Sequence, residues 1–234
     1  MKKLTILASA IALIASASAF AVTAQSGVYV QGTGGWAVSA KPGIDDQSEA
    51  LLQATKLVNK TYALGANIGY DYALNQNVMV GIEGGYLNLG STNYEYPTTA
   101  GATGSGGGSY GKTQNWGYQV LATGTYLMSN GFNGFVKAGG IKERSTMNFT
   151  SGVPGAVSAY SPESQTTKWV PAAVIGAGYM PTQNINIVLQ YEHVFGDKWS
   201  DGLNMAYAAD VLTTYSKPMT QNIVSLGVSY KFAM

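Results

Sequence analysis

The run Gly106-Gly107-Gly108-Ser109-Tyr110-Gly111-Lys112-Thr113 satisfies G-x-x-x-x-G-K-[ST], the pattern in which backbone amides and a lysine hold nucleotide phosphates. It also contains G-x-G-x-x-G and G-x-S-x-G, signatures of a dinucleotide-binding turn and of a nucleophilic serine. Each pattern works only on a tight turn from strand to helix. Here the run continues a Gly/Ser/Thr tract and leads into a strand-like segment near Asn115, so it reads as an exposed glycine-rich loop. A second set of groups is sparser. Glu83, Lys137 and Glu192 stand in alternating segments, with Gln119, Thr123 and Gln190 at comparable positions. Two carboxylates and an ammonium group can line a pore, or they can pair and help to block it. The elements that hold them decide which.

Those elements are not membrane helices. Beyond the N-terminus no stretch offers the ~20 apolar residues a spanning helix needs, yet only 11% of residues are charged, against roughly 25% in soluble domains. Lipid admits only helices and closed barrels. The 30 glycines and 16 tyrosines suit a barrel with aromatic girdles. At the N-terminus, Lys2 and Lys3 precede an apolar run from Leu4 to Ala15 and an A-x-A site at Ala19-Phe20-Ala21. This predicts a signal peptide over residues 1–21 and a barrel domain over 22–234, with a cut after Ala24 as the alternative. No cysteine is present, which removes disulfides, thiolate metal sites and lipoprotein acylation from consideration. Without Lys2 and Lys3 the 13 basic and 12 acidic residues become 11 and 12, a net charge of −1. Such a balance gives no reason to expect nucleic acid as a partner.

Period-two patterning predicts eight strands: Gly27–Ala40, Thr61–Leu74, Asn77–Leu89, Asn115–Met128, Phe132–Arg144, Thr167–Met180, Asn184–Phe195 and Gln221–Phe232. Three connections are short and rich in Asn, Gly and Pro, at Asn75-Gln76, Ser129-Asn130-Gly131 and Pro181-Thr182-Gln183. The other four are long: Lys41–Lys60, Gly90–Gln114, Ser145–Lys168 and Gly196–Thr220. In outer-membrane barrels short turns face the periplasm and long loops face outward. The expectation is an all-β, eight-stranded antiparallel transmembrane barrel with four long outer loops and three short periplasmic turns. In the first loop, Ser48 predicts a helix cap for a run whose Leu51, Leu52, Thr55 and Val58 share a face.

Strand side chains alternate faces, and the charges say which face meets lipid. In the last strand Val224, Leu226, Val228, Tyr230 and Phe232 share one side, with Ser225, Gly227, Ser229 and Lys231 on the other. Val78, Val80, Ile82 and Tyr86 oppose Glu83, while Ile185, Ile187, Leu189 and Tyr191 oppose Asn186, Gln190 and Glu192. A soluble barrel needs many more exterior charges than this chain has, so the apolar face is read as outward. Aromatics fall in two belts: Trp36, Tyr62, Tyr86, Trp116, Tyr118 and Trp169 toward the loops, and Tyr70, Tyr72, Tyr126, Tyr179, Tyr230 and Phe232 toward the turns. By the same parity Glu83, Lys137, Gln119, Gln190 and Glu192 point inward as a polar network. An eight-stranded lumen is just wide enough for side chains to fill, so Glu83 and Lys137 are expected to pair and plug it. Asp71 and Lys231 are candidates for a second pair.

Four segments resemble the transmembrane domain of the OmpA family: V-Y-V-Q-G-T-G-G-W from Val28 to Trp36, Gly81-Ile82-Glu83-Gly84-Gly85-Tyr86 with Leu89-Gly90, Phe135-Val136-Lys137-Ala138-Gly139-Gly140, and S-L-G-V-S-Y-K-F from Ser225 to Phe232. The resemblance implies the eight-stranded barrel and an interior network in which Glu83 matches a carboxylate and Lys137 a basic position. Thr123, Gly178 and Val188 stand where other network members align, so that family's gating mechanism is not implied. Longer members continue into a periplasmic peptidoglycan-binding domain. This chain stops at Met234, and cell-wall anchoring is not expected of it.

His193 is the only histidine. Some lipid hydrolases that resemble this barrel place a serine two residues after a lipid-facing histidine, but residue 195 is Phe195. His193 therefore reads as an interfacial aromatic, and neither enzyme activity nor a cofactor is expected. The expected location is the cell outer membrane, with the chain a monomer. Its expected partners are outer-membrane lipid and lipopolysaccharide, the barrel assembly machinery that would receive the C-terminal strand, and host-cell surface molecules met by the loops. Tyr94, Tyr96, Tyr110, Trp199, Tyr207 and Tyr215 in the second and fourth loops suit such contacts. The alternative function is a narrow pore for ions or small solutes.

Overall fold

The computed structural model describes residues 22–39, 56–58, 60–96, 109–150, 164–196 and 220–233. Nine strands follow in chain order: β1 (Gly27–Ser39), β2 (Lys56–Val58), β3 (Lys60–Ala73), β4 (Val78–Tyr96), β5 (Ser109–Leu127), β6 (Phe132–Thr150), β7 (Ser164–Tyr179), β8 (Ile185–Val194) and β9 (Gln221–Ala233). The short β2 pairs with β4 beyond the end of β3, so the two occupy one stave and the barrel has eight. Every pairing is antiparallel, and β1 closes on β9 from Gly27↔Ala233 to Ser39↔Gln221. Closure leaves no open edge, which is the condition for a sheet to sit in lipid.

The stagger of the barrel can be followed residue by residue. From Gly27 the register runs through Asp71, Gly81, Thr123, Lys137, Val174, Glu192 and Ile223 and returns to the first strand at Ala37, ten residues further on. At ~3.3 Å per residue and ~4.8 Å between strands, that offset tilts the staves by about 40°.

Four features depart from the sequence-based expectation. The staves β4 to β7 run further outward than alternation indicates, with β4 reaching Tyr96, β5 starting at Ser109, β6 reaching Thr150 and β7 starting at Ser164. The register of β4 against β5 shifts between Asn88 and Ser91, a bulge at Leu89-Gly90 that breaks the period-two pattern. Gly90 has φ +70, and a Cβ there would strike Thr61 Oγ1 and the Tyr62 carbonyl, so the bulge depends on glycine. Beyond it the sequence is rich in Ser, Thr, Asn and Gln, so the alternation is weak there.

The helix proposed for the first loop is also corrected at its end. Leu57 and Val58 lie in β2, opposite Tyr94 and Asn93, because the extended β4 offers backbone partners; Ser48 to Thr55 lie outside the described residues. Of the glycine-rich run, Ser109 to Thr113 are in β5 rather than in the exposed loop expected of them, while 106–108 lie outside the described residues. The proposed signal peptide, 1–21, lies outside them too.

Outward faces are apolar, as the alternation requires. Leu226 is 59% exposed, and Ile68, Ile82, Val136 and Ile175 are similarly open. The outer belt of Trp36, Tyr62, Tyr86, Tyr118 and Trp169 and the inner belt of Tyr70, Tyr72, Tyr126, Tyr230 and Phe232 are all exposed. At the periplasmic end Ala24 N–H donates to the Gln76 carbonyl, and Val22 packs on Leu127 and Met180 beneath the lumen.

Candidate functional site

The inward faces of the staves converge on a charged centre. Lys137 Nζ of β6 lies 2.6 Å from Glu83 Oε2 of β4. The Tyr29 hydroxyl of β1 donates to the same carboxylate oxygen at 2.8 Å, and Lys137 also donates to Gln31 Oε1 at 3.1 Å. Gln31 and Gln190 contact at 3.5 Å, while Gln119 Nε2 donates to Asn67 Oδ1 at 3.0 Å. All these groups are buried, with Glu83 only 1% exposed. Unpaired buried charge is costly, and here ammonium and carboxylate each hold further polar partners. Glu192 is also buried, with one carboxyl oxygen that no protein group engages.

A second ion pair sits nearer the periplasm. Lys231 Nζ lies 2.7 Å from Asp71 Oδ2 and donates to the Gln25 carbonyl at 3.3 Å. Between the pairs is a cavity of about 50 Å³ lined in part by Tyr29, Asp71, Thr123, Asn133 and Ser229. At ~10–15 Å³ per water it has room for roughly four. The Thr123 hydroxyl, which no protein group engages, makes its wall polar.

On the outward side of the charged centre the lumen changes character. Ala37, Ala63, Leu87, Ile141, Val170, Val194 and Ile223, one from each of seven staves, are at most 4% exposed and belong to a single apolar cluster. The eighth stave contributes Gly117, opposite Glu143 in the register, and a Cβ there would lie 2.8 Å from Ile141 Cγ2. Glycine thus lets Ile141 lean across toward the neighbouring strand. An apolar layer therefore spans the barrel interior immediately above buried charge.

The exterior is apolar, eight staves close the sheet, and side chains fill the staggered interior. The match to the family model for the outer membrane protein beta-barrel domain runs over residues 7–232. The chain belongs to that family. Its place in the cell outer membrane follows. No curated protein sequence matches the chain. Among solved structures, this outer-membrane barrel is similar to the attachment invasion locus protein Ail of Yersinia pestis, at 13% identity and TM-score 0.45, covering 90% of this chain and 100% of that one. Neisserial surface protein A is similar at 14% identity and TM-score 0.44, with 89% and 99% covered. The N-terminal barrel domain of Pseudomonas aeruginosa OprF is similar at 13% identity and TM-score 0.38, with 89% and 100% covered.

In this outer-membrane barrel the structure places Glu83, Lys137, Gln119, Gln190 and Glu192 inside, and brings the first two into contact. Gln119 bonds Asn67 rather than the ion pair. Val224, Leu226, Val228, Tyr230 and Phe232 all face outward on β9. Tyr29, Gln31 and Asn67 are members that sequence reasoning did not single out; their inward parity was the available signal. The apolar layer was missed for a different reason. Leu87, Ile141 and Ile223 sit on strand faces read as small or polar. Gly178, lacking a Cβ, leaves room for Asn133 and Asn186, and the Asn133 amide donates to Asn186 Oδ1 at 3.0 Å.

His193 lies at the outer end of β8. Its Nδ1 is 2.8 Å from Asn222 Oδ1, which also accepts from the Tyr191 hydroxyl at 2.6 Å, and its ring meets Phe195 edge-on at 4.3 Å. With the amide oxygen as acceptor, Nδ1 must carry the hydrogen.

Proposed function

We propose that this protein works through the loops it displays at the cell surface, where they contact a host-cell or other macromolecular partner, while its barrel serves as a closed membrane anchor. The observation that supports this is the apolar layer of Leu87, Ile141, Val170 and Ile223, which lies on the outward side of the Glu83–Lys137 pair. An ion crossing such a layer loses its hydration without compensating ligands, which is costly. A pore would be lined the other way, with polar groups along its whole length. Loops set on a rigid sheet are also where binding residues concentrate. His193 is read here as an interfacial residue held by Asn222, and no enzymatic role is assigned to it.

The test combines loop deletion with conductance. Removing residues 99–107 or 203–214 should leave the barrel folded, judged by its gel mobility before and after heating, and should reduce cell binding. The undeleted protein in planar bilayers should show no resolved conductance steps. Steady conductance steps together with unchanged binding in every loop deletion would replace this reading with the pore.

A further inference from the structure

The charges on the barrel are sorted by sign and face. Among the staves' described side chains, the carboxylates Asp71, Glu83, Glu143 and Glu192 are all buried in the lumen. Those that point outward by parity are Lys60, Lys112, Lys142 and Arg144, every one a cation and every one toward the loop end. Three of the four are on β5 and β6. The outward faces of β1, β8 and β9 carry no Asp, Glu, Lys or Arg. Among the described side chains, one side of the outer rim is therefore basic and the opposite side is neutral.

The basic side coincides with a cluster of aromatic rings on the exterior. Tyr86, Trp116 and Tyr118 form a triangle of rings with centroids 5.7–6.0 Å apart. Arg144 lies over the Trp116 ring at 5.5 Å, and the register sets Lys142 between Tyr118 and Trp169. Lys142 and Arg144 are two residues apart on one strand, so their stems start ~7 Å apart along it. Aromatic rings settle at the level of headgroups, and long cationic side chains extend from there toward the polar layer. The cations thus stand where the outer leaflet presents its headgroups.

We infer that Lys142 and Arg144, with Lys112 above them and the Tyr86–Trp116–Tyr118 rings beside them, form a docking site for a phosphorylated glycolipid of the outer leaflet. Charge complementarity and position carry the assignment. Guanidinium and ammonium groups take phosphate oxygens, the aromatic faces offer a surface for sugar rings, and the exposed apolar side chains below, such as Val120 and Val136, continue the site toward acyl chains. This site is separate from the loop contacts proposed above. It also gives Lys112 a setting: the lysine of the phosphate-loop pattern stands on the outward face of a strand, in reach of lipid rather than of nucleotide.

The full chain folded in zwitterionic detergent would be titrated with bisphosphorylated lipid A, with the same lipid after phosphate removal, and with phosphatidylglycerol, and bound lipid counted by native mass spectrometry. Bisphosphorylated lipid A should be retained at least about tenfold better than either control, since it offers the cations two phosphates where the controls offer one or none. The double variant Lys142→Gln with Arg144→Gln should lose most of that preference, whereas Lys60→Gln, an outward cation elsewhere on the rim, should keep it. Heat-modified gel mobility confirms that each variant is folded; if the double variant is not, Lys142→Gln alone should lose several-fold. Equal retention of phosphorylated and dephosphorylated lipid A overturns the proposal. So does equal retention of phosphatidylglycerol, which would make the rim a general anionic-lipid surface. A folded Lys142/Arg144 variant that binds like the unaltered chain overturns it as well.

Discussion

Lys137 and Glu83 meet at 2.6 Å in the middle of the lumen, on staves that are not neighbours in the sheet. Lys137 reaches from β6 past β5 to β4, and the contact ties together staves that backbone hydrogen bonds do not join directly. Tyr29 and Gln31 extend the tie to β1.

Breaking this pair from one side leaves an uncompensated charge. Glu83→Gln or Lys137→Met should each cost about 3–5 kcal/mol in unfolding stability. The combination should cost clearly less than the sum, because it removes both charges. Urea unfolding of reconstituted protein measures both. Simple additivity would mean that the two side chains do not interact in the folded barrel.

The outer face of β9 makes a separate prediction. Leu226 lies between Leu189 and Gly34 in the register and is largely exposed, so Leu226→Arg puts a cation in hydrocarbon. The expected cost is about 2–4 kcal/mol near the midplane. Ser225→Arg places its charge in the lumen instead, where crowding governs the outcome. If Leu226→Arg unfolds at the same urea concentration as the parent, the lipid-facing assignment of β9 is wrong.

The apolar layer should be what keeps the barrel electrically closed. Shortening Ile141 and Ile223 to Ala together removes two of its bulky members and should introduce conductance steps absent from the unaltered protein. Planar-bilayer recording is the measurement. A stability loss of about 2–5 kcal/mol per large-to-small change is expected alongside, so folding is verified on heated gels first.

Gly90→Val tests the bulge. The position has φ +70 and no room for a Cβ beside Thr61. A loss of about 1–3 kcal/mol is expected from backbone strain alone. An equivalent change at Gly32, where nothing lies within 4 Å of a Cβ, should be much milder. Comparing the two urea midpoints separates strain from a general intolerance of larger residues.

Much of this barrel was legible before any fold was known, because alternation is a local property. Period-two patterning puts Leu226 and Val228 on one face and Lys231 on the other, and sets Glu83 and Lys137 apart from their apolar neighbours; the scarcity of charge then sends the apolar face to lipid. Low charge without an apolar helix leaves a closed sheet as the way to satisfy the backbone in a membrane. The short turns at Asn75-Gln76 and Ser129-Asn130-Gly131 reveal which end is periplasmic. What the patterning leaves open is height, since a face assignment says nothing about which inward residues share a level. That was decided by the closed register, whose ten-residue offset carries Gly27 round to Ala37 and sets Tyr29 and Gln31 beside Glu83 and Lys137. The same offset gathers Leu87, Ile141, Val170 and Ile223, scattered over more than a hundred residues of chain, into one apolar layer. Gly90 shows the reverse case: a single bulge ends the alternating signal while the strand itself continues. Alternation is written between neighbours two apart, whereas the lumen's layers exist only once eight staves have been tilted and closed.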